Sequence, residues 1–287
     1  MEKRKPFVSI VIANYNYGKY LSSALNSIVN QDCDDYEIIV IDGGSTDNSI
    51  DIIKQYEPHI AYWISEPDGG QSNAFNKGFN KANGVFITWL NADDILLPGT
   101  ISAVKNKLEA NPIADWATGN FIRFIDSSKL ISQAKWGPHR LPSWMQSPQK
   151  PIPVFGPTSF WRKSVYDKIG PIDESLNYTM DIEYWSRLVQ HGYLQVRVNH
   201  DCWAFRMHED SKTAEYGEHE RSDAIKEKMR KELIYIKDKT GCEIRIGYKI
   251  LAYIMRILDL SAFIALFRKF FVVGKRIDKY YELNYKL

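Results

Sequence analysis

The chain has 287 residues, 44% hydrophobic and 25% charged, with a net charge of +2; this is an ordinary globular composition, with room for one large α/β domain and an appendage. Residues 222–287 carry 15 Lys+Arg against 8 Asp+Glu, and the remainder carries 22 against 27. The acidic front excludes nucleic-acid binding by charge, while the basic tail suits an anionic surface. Three widely spaced cysteines, Cys33, Cys202 and Cys242, offer neither metal spacing nor a disulfide framework and point to a reducing, cytoplasmic compartment. The apolar run after the basic Met1–Pro6 is too short for a signal peptide and is expected to be a first strand. An aromatic share of 13% serves sugar or base stacking and large aromatic cores equally well.

In chain order, Phe7 to Ala13 is apolar and β-branched and ends in the turn cluster Asn14-Tyr15-Asn16-Tyr17-Gly18. Leu21, Ala24, Leu25, Ile28 and Val29 then recur at helical spacing. A second strand, Tyr36 to Ile41, ends in Asp42-Gly43-Gly44-Ser45-Thr46-Asp47, followed by helical spacing at Ile50, Ile53 and Tyr56 up to Pro58. A third strand, Ile60 to Ile64, runs into Ser65-Glu66-Pro67-Asp68-Gly69-Gly70-Gln71 and a helix carrying Ala74, Phe75, Phe79 and Ala82. The fourth, Val85 to Leu90, delivers Asn91-Ala92-Asp93-Asp94 and then an apolar run to Pro98, near which a helix is expected to open. Strand–helix units of about 25 residues predict a parallel sheet, and right-handed crossovers bring all four polar loops to one edge, where open α/β sheets bind ligands.

The loops carry the chemistry. Ser45 and Asp47 are expected to cap a helix, whereas Asp42, at the end of a buried strand, is expected to accept hydrogen bonds from a nucleobase or ribose. Adjacent carboxylates at a buried strand end repel each other and call for a cation. Strand alternation places Asn91 and Asp93 on one side and Asp94 on the other, with a helix cap as the competing use of one carboxylate. No G-x-G-x-x-G follows the first strand and no G-x-x-x-x-G-K-[ST] occurs, which argues against dinucleotide-binding and P-loop readings.

Val8 to Asn16, Val40 to Asp47 and Leu90 to Asp94, taken in order, resemble the inverting family 2 glycosyltransferases with the GT-A fold, over roughly residues 6–210. The resemblance implies an α/β fold: a mostly parallel sheet flanked by helices, with a C-terminal helical extension. It implies a catalytic domain over 1–220 (donor half 1–112, acceptor half 113–220) and a basic amphipathic extension over 221–287. It also implies a nucleotide-diphospho-sugar donor carrying uridine or thymidine, a Mn2+ or Mg2+ ion, and base-assisted inversion. Donor contacts are then expected from Ala13, Tyr15, Asp42, Asp68, Gln71, Lys77, Asn91, Ala92 and Asp93. Metal contacts are expected from Asp93, Asp94 and His208. The family's aspartate–any–aspartate is here Asn91-Ala92-Asp93, and its third-loop arginine is replaced by Phe75, leaving Lys77 as the cation there.

In the second half, Ala114 to Phe124 and Phe155 to Trp161 suit strands, and the proline-rich stretch between them suits a binding loop. A short helix to Ile169 stops at Gly170-Pro171, and Ile182, Trp185, Leu188 and Val189 mark the buried face of the next. Glu183 and Arg187 are expected to form an i,i+4 ion pair, either solvated or supporting the site from behind. Asp181 stands at the start of that helix, where backbone amides favour its ionised form, and the resemblance makes it the base. Trp203 to Ser211 ends another strand and bears His208; Ser222 to Lys239 is a charged helix. Beyond Gly241, residues 244–287 suit amphipathic helices lying on an anionic membrane or packed on the domain or a second subunit, since no uncharged run there approaches the ~20 residues of a span. The expected acceptor is a saccharide or lipid-linked molecule, in cell-surface polysaccharide or lipopolysaccharide synthesis. A sugar-phosphate nucleotidylyltransferase, or a nucleotide-sugar-binding scaffold without turnover, are the alternatives.

Overall fold

The computed structural model describes residues 5–125, 130–134, 158–209, 211–212, 223–241 and 283. Strands β1 (Val8–Asn14), β2 (Tyr36–Asp42), β3 (Ile60–Ser65) and β4 (Phe86–Asn91) pair in parallel, in the order β3-β2-β1-β4. Their registers align the strand ends: Asn14 lies opposite Asp42, Asp42 opposite Ser65, and Ala13 opposite Asn91. The four polar loops therefore leave from one edge. Ile10, Val11, Ile12, Val40 and Ile41 are fully buried, as a strand covered on both faces requires.

Helix α1 (Gly18–Val29) buries Leu21, Ala24, Leu25 and Ile28, the stripe its spacing predicts. After α2 (Ser49–Gln55), a 3-10 turn at Glu57–His59 carries Pro58 near its start. Helix α3 (Gln71–Lys81) lies close on the sheet at Gly78, where a Cβ would stand 2.2 Å from Val11 Cγ1. Much of the aromatic content goes into packing: Phe75, Phe79, Trp89, Trp161 and Tyr184 are buried against one another.

The second half turns the sheet from parallel to mixed. Beyond β4 come β5 (Ile95–Leu96), α4 (Thr100–Glu109), β6 (Trp116–Ile125), β7 (Leu130–Ala134) and β8 (Ser159–Arg162). Then follow α5 (Lys163–Ile169), α6 (Met180–Gln190), β9 (Gln195–Met207) and α7 (Asp223–Thr240). From β4 the sheet continues through β8, β6 and β9 to β5, with β7 beside β6. Because β5 follows β4 after only three residues, the sheet curls back to the chain that began it. The turn Ala92-Asp93-Asp94 sits in that seam. Helix α4 opens near Pro98 as expected, two residues after it and behind Gly99 in left-handed backbone at φ 75°; the apolar run before it also holds the two-residue β5.

Helix α7 packs on α6 through charge. The expected Glu183–Arg187 pair is present and is the buried one of its two alternatives: Glu183 is fully buried, with Arg187 Nε 2.8 Å and Lys239 Nζ 2.9 Å from its Oε1. Lys239 Nζ also reaches Asp173 Oδ2 at 2.6 Å. Removing a buried charge strands its partners, so Glu183→Ala should destabilise the fold by about 3 kcal/mol. Thermal unfolding would show this as a fall of roughly 6–12 °C; an unchanged melting temperature would mean the pair carries no net stability. Residues 244–287, apart from 283, the expected binding-loop stretches 136–142 and 144–153, and the first residues (155–157) of the strand expected over Phe155 to Trp161 lie outside the described residues. Among the described residues no helix is long and apolar enough to cross a membrane.

Candidate active site

The strand-end loops open on one cleft of about 920 Å³. Its wall includes Ala13, Tyr15, Asp68, Gln71, Asn91, Ala92, Asp93 and Asp181, eight of the twelve residues singled out in the sequence. The other four, Asp42, Lys77, Asp94 and His208, stand away from the wall, and each has a physical reason.

Asp42 is fully buried and spent on the loops. Its Oδ1 accepts from Asn14 Nδ2 (2.7 Å) and Ser45 Oγ (2.5 Å); Oδ2 accepts from Ser65 Oγ (2.6 Å) and the amides of Gly44 and Ser45. Burial raises its proton affinity, but the Ser45, Ser65 and Asn14 hydrogen bonds outweigh it and hold the carboxyl below its usual range. Asp42, expected to contact base or ribose, is off the cleft wall and organises the loops, while Gly43 and Asp68 line the wall. Asp47 accepts from the first amides of both α1 and α2, at Gly18 (2.9 Å) and Ser49 (3.0 Å). Ser45 ties β1 to β2 rather than capping a helix, its Oγ accepting from the Asn16 amide at 2.8 Å.

Lys77 is paired with Glu66 at 2.7 Å, so it does not supply the cleft's positive charge. That charge comes from Arg123 of β6 and from Lys212 after β9, both on the wall. Neither was singled out in the sequence. Arg123 left a trace there, since it is a lone charge between the apolar Phe121-Ile122 and Phe124-Ile125. Lys212, near the ring of Tyr178, left none.

The acidic turn divides as strand alternation predicts. Asn91 and Asp93 face the cleft, and Asp94 turns inward, fully buried. The Arg206 amide donates to Asp94 Oδ1 (2.9 Å) and Asn91 Nδ2 to its Oδ2 (2.8 Å), while Gln71 Nε2 donates to Asn91 Oδ1 (3.0 Å). Burial, with the Asp93 charge beside it, pushes the Asp94 carboxyl well above the carboxylate range. Asp94 thus faces away from the cleft, and Asp93 is the carboxylate of the turn that lines it. Asp93 pairs with His208, whose Nε2 lies 3.0 Å from Asp93 Oδ2. The imidazole is buried between Tyr17 and Tyr20, and its Nδ1 has no hydrogen-bond partner among the described residues.

One carboxylate and one imidazole side by side form a donor pair that suits Mn2+, and Mg2+ through the carboxylate, provided phosphate and water complete the shell. No third His, Cys, Asp or Glu joins them among the described residues. The pair fits an ion that arrives with a diphosphate, not a closed structural site.

Asp181 reaches the cleft from the first turn of α6. Burial pushes its carboxyl up to about 6, the Ile182 amide pulls it down through a 2.7 Å hydrogen bond, and the Glu232 charge adds to the rise. The helix-start amide is present as expected, but desolvation outweighs it. The outcome is a carboxylate still ionised at neutral pH and more basic than an exposed one, as a general base requires.

The family model for Glycosyl transferase family 2 matches residues 9–170. An uncharacterised glycosyltransferase of Nostoc sp. is 34% identical over 175 residues, covering 58% of this chain and 54% of that protein. The chain therefore spans about half the length of that relative. S. aureus TarS 1–349 in complex with UDP-GlcNAc superposes with a TM-score of 0.58 at 18% identity, over 78% of this chain and 64% of that one. The mannosyltransferase PcManGT of Pyrobaculum calidifontis, in complex with GDP-Man and Mn2+, gives 0.53 at 16% identity, over 70% and 57%. At these identities the likeness is one of fold, the GT-A fold.

Proposed function

The chain belongs to glycosyltransferase family 2, and on that premise we propose that it transfers a sugar from a nucleotide-diphospho-sugar to an acceptor hydroxyl with inversion. The observation carrying this reading is that Asp93, in the turn after β4, and Asp181, in the first turn of α6, line one cleft. Asp181 takes the proton from the acceptor hydroxyl as its oxygen attacks the anomeric carbon, and the bond from that carbon to the diphosphate breaks. A Mn2+ or Mg2+ ion held by Asp93 and His208 would supply positive charge to the departing diphosphate. Arg123 and Lys212 add charge of the same sign to the cleft. Asn91, fixed by Gln71, and Tyr15, 60% exposed at the rim, orient the nucleoside end.

The reading includes a saccharide or lipid-linked acceptor in cell-surface polysaccharide or glycolipid assembly. It also includes contact of the basic residues 244–287 with an anionic membrane surface at the cytoplasmic face. The donor is the part to test first. Thermal shift with UDP-, dTDP- and GDP-sugars, each with and without Mn2+, should show one nucleotide class that raises the melting temperature only when metal is present. Stabilisation by nucleotide alone, unchanged by Mn2+, would remove the metal from the account and leave the fold-level assignment standing.

A further inference from the structure

Helix α7 does more than cover α6. Glu232, from its middle, places a carboxylate against the three residues preceding α6. Its Oε1 accepts from the Asn177 amide at 2.9 Å. Its Oε2 accepts from the amides of Tyr178 and Thr179, both at 3.0 Å, and from Thr179 Oγ1 at 2.8 Å. Of these amides only that of the N-cap Thr179 belongs to the helix start, where amides lack intrahelical partners and favour an anion; those of Asn177 and Tyr178 belong to the loop before it. Here Thr179 makes no side-chain cap of its own, and the anion comes from a helix 53 residues further along the chain. Asn177, Tyr178 and Asp181 all line the cleft, so these bonds hold the strip of wall that carries the base.

We propose that Glu232 is a positioning residue for Asp181, fixing Asn177–Thr179 from the C-terminal extension and setting the field in which the base works. This inference rests on Asp181 being the base. The other charged groups on the cleft wall are Asp68, Asp93, Arg123 and Lys212. Desolvation lowers the proton affinity of Lys212 and the Glu232 charge raises it, so Glu232 acts on both. Its removal should not release α7, because Tyr235 and Lys239 still bind Asp173 at 2.9 and 2.6 Å, Lys239 still meets Glu183, and Ile236 remains buried.

The test is the pH titration of the Asp181 carboxyl carbon by NMR in the full chain, the resonance being assigned by its loss in Asp181→Asn. In Glu232→Gln the midpoint should fall by roughly half a pH unit or more. The amides of Asn177–Thr179 should exchange with solvent at least about tenfold faster. Glu232→Asp, which keeps the charge, should restore the midpoint, and Glu227→Gln, which removes a charge from the exposed face of α7, should leave it unmoved. A wild-type midpoint in Glu232→Gln overturns the proposal, whatever the melting temperature does. An inactive Asp181→Asn beside that result would spare the base and remove only Glu232's role. A fully active Asp181→Asn would remove the base itself, independently of where the resonance titrates.

Discussion

Asp181→Asn should lower turnover by roughly 10²–10⁴-fold, the range a positioned general base contributes, while donor affinity in the presence of Mn2+ stays within about twofold of wild type. The substitution is nearly isosteric and the hydrogen bond from the Ile182 amide survives on the carboxamide oxygen. What disappears is the basic carboxylate proposed to take the acceptor proton. Burial has already made this carboxylate more basic than an exposed one, so no neighbour of similar strength stands ready to replace it; Asp93 is engaged with His208 and Asp68 with the Gly70 amide. Steady-state turnover and calorimetric donor binding, measured on one preparation, separate the two quantities. Wild-type-like turnover would remove Asp181 from the chemistry.

Asp93→Ala should have the second-largest effect and a different signature. Metal-dependent donor binding should be lost, and turnover should fall by roughly 10²–10³-fold, since charge stabilisation at the departing diphosphate is worth several kcal/mol. Asp94→Asn is the contrast. Its carboxyl is already biased towards the protonated form by burial, and a carboxamide oxygen can still accept from Arg206 or Asn91, so metal-dependent donor binding should persist. The checking measurement is the Mn2+-dependent thermal shift in both variants. Loss in Asp94→Asn with retention in Asp93→Ala would reverse their assignment.

The donor half was legible in the sequence because periodicity and turn chemistry agreed there. Strands ending in Asn14, Asp42 and Asn91 alternate with helices whose apolar stripes match the buried residues. A parallel sheet then obliges their loops to converge. Burial on both faces does not, however, reveal whether a strand-end carboxylate points to ligand or to loop. Asp42 and Lys77 lie close to the cleft yet are satisfied by Ser45, Ser65 and Glu66. Such partners are long-range and leave no local pattern. The same holds for β5, too short for any periodicity, and for Glu232, which meets the base-bearing loop only through the packing of α7 on α6. Whether Glu183 was solvated or buried stayed open in the sequence for the same reason: its i,i+4 partner was visible, but Lys239 and the covering helix were not.

On the proposed mechanism a desolvated Asp181 carboxylate acts as the base in a cleft that Asp93 also lines. The most direct test is the pH dependence of kcat/KM with the donor identified by thermal shift. Ionisation activates the base, so the rate should rise about tenfold per pH unit below the midpoint and level off above about 6. A rate that is flat from roughly pH 5 to 8, across the range where that carboxyl titrates, would contradict the account.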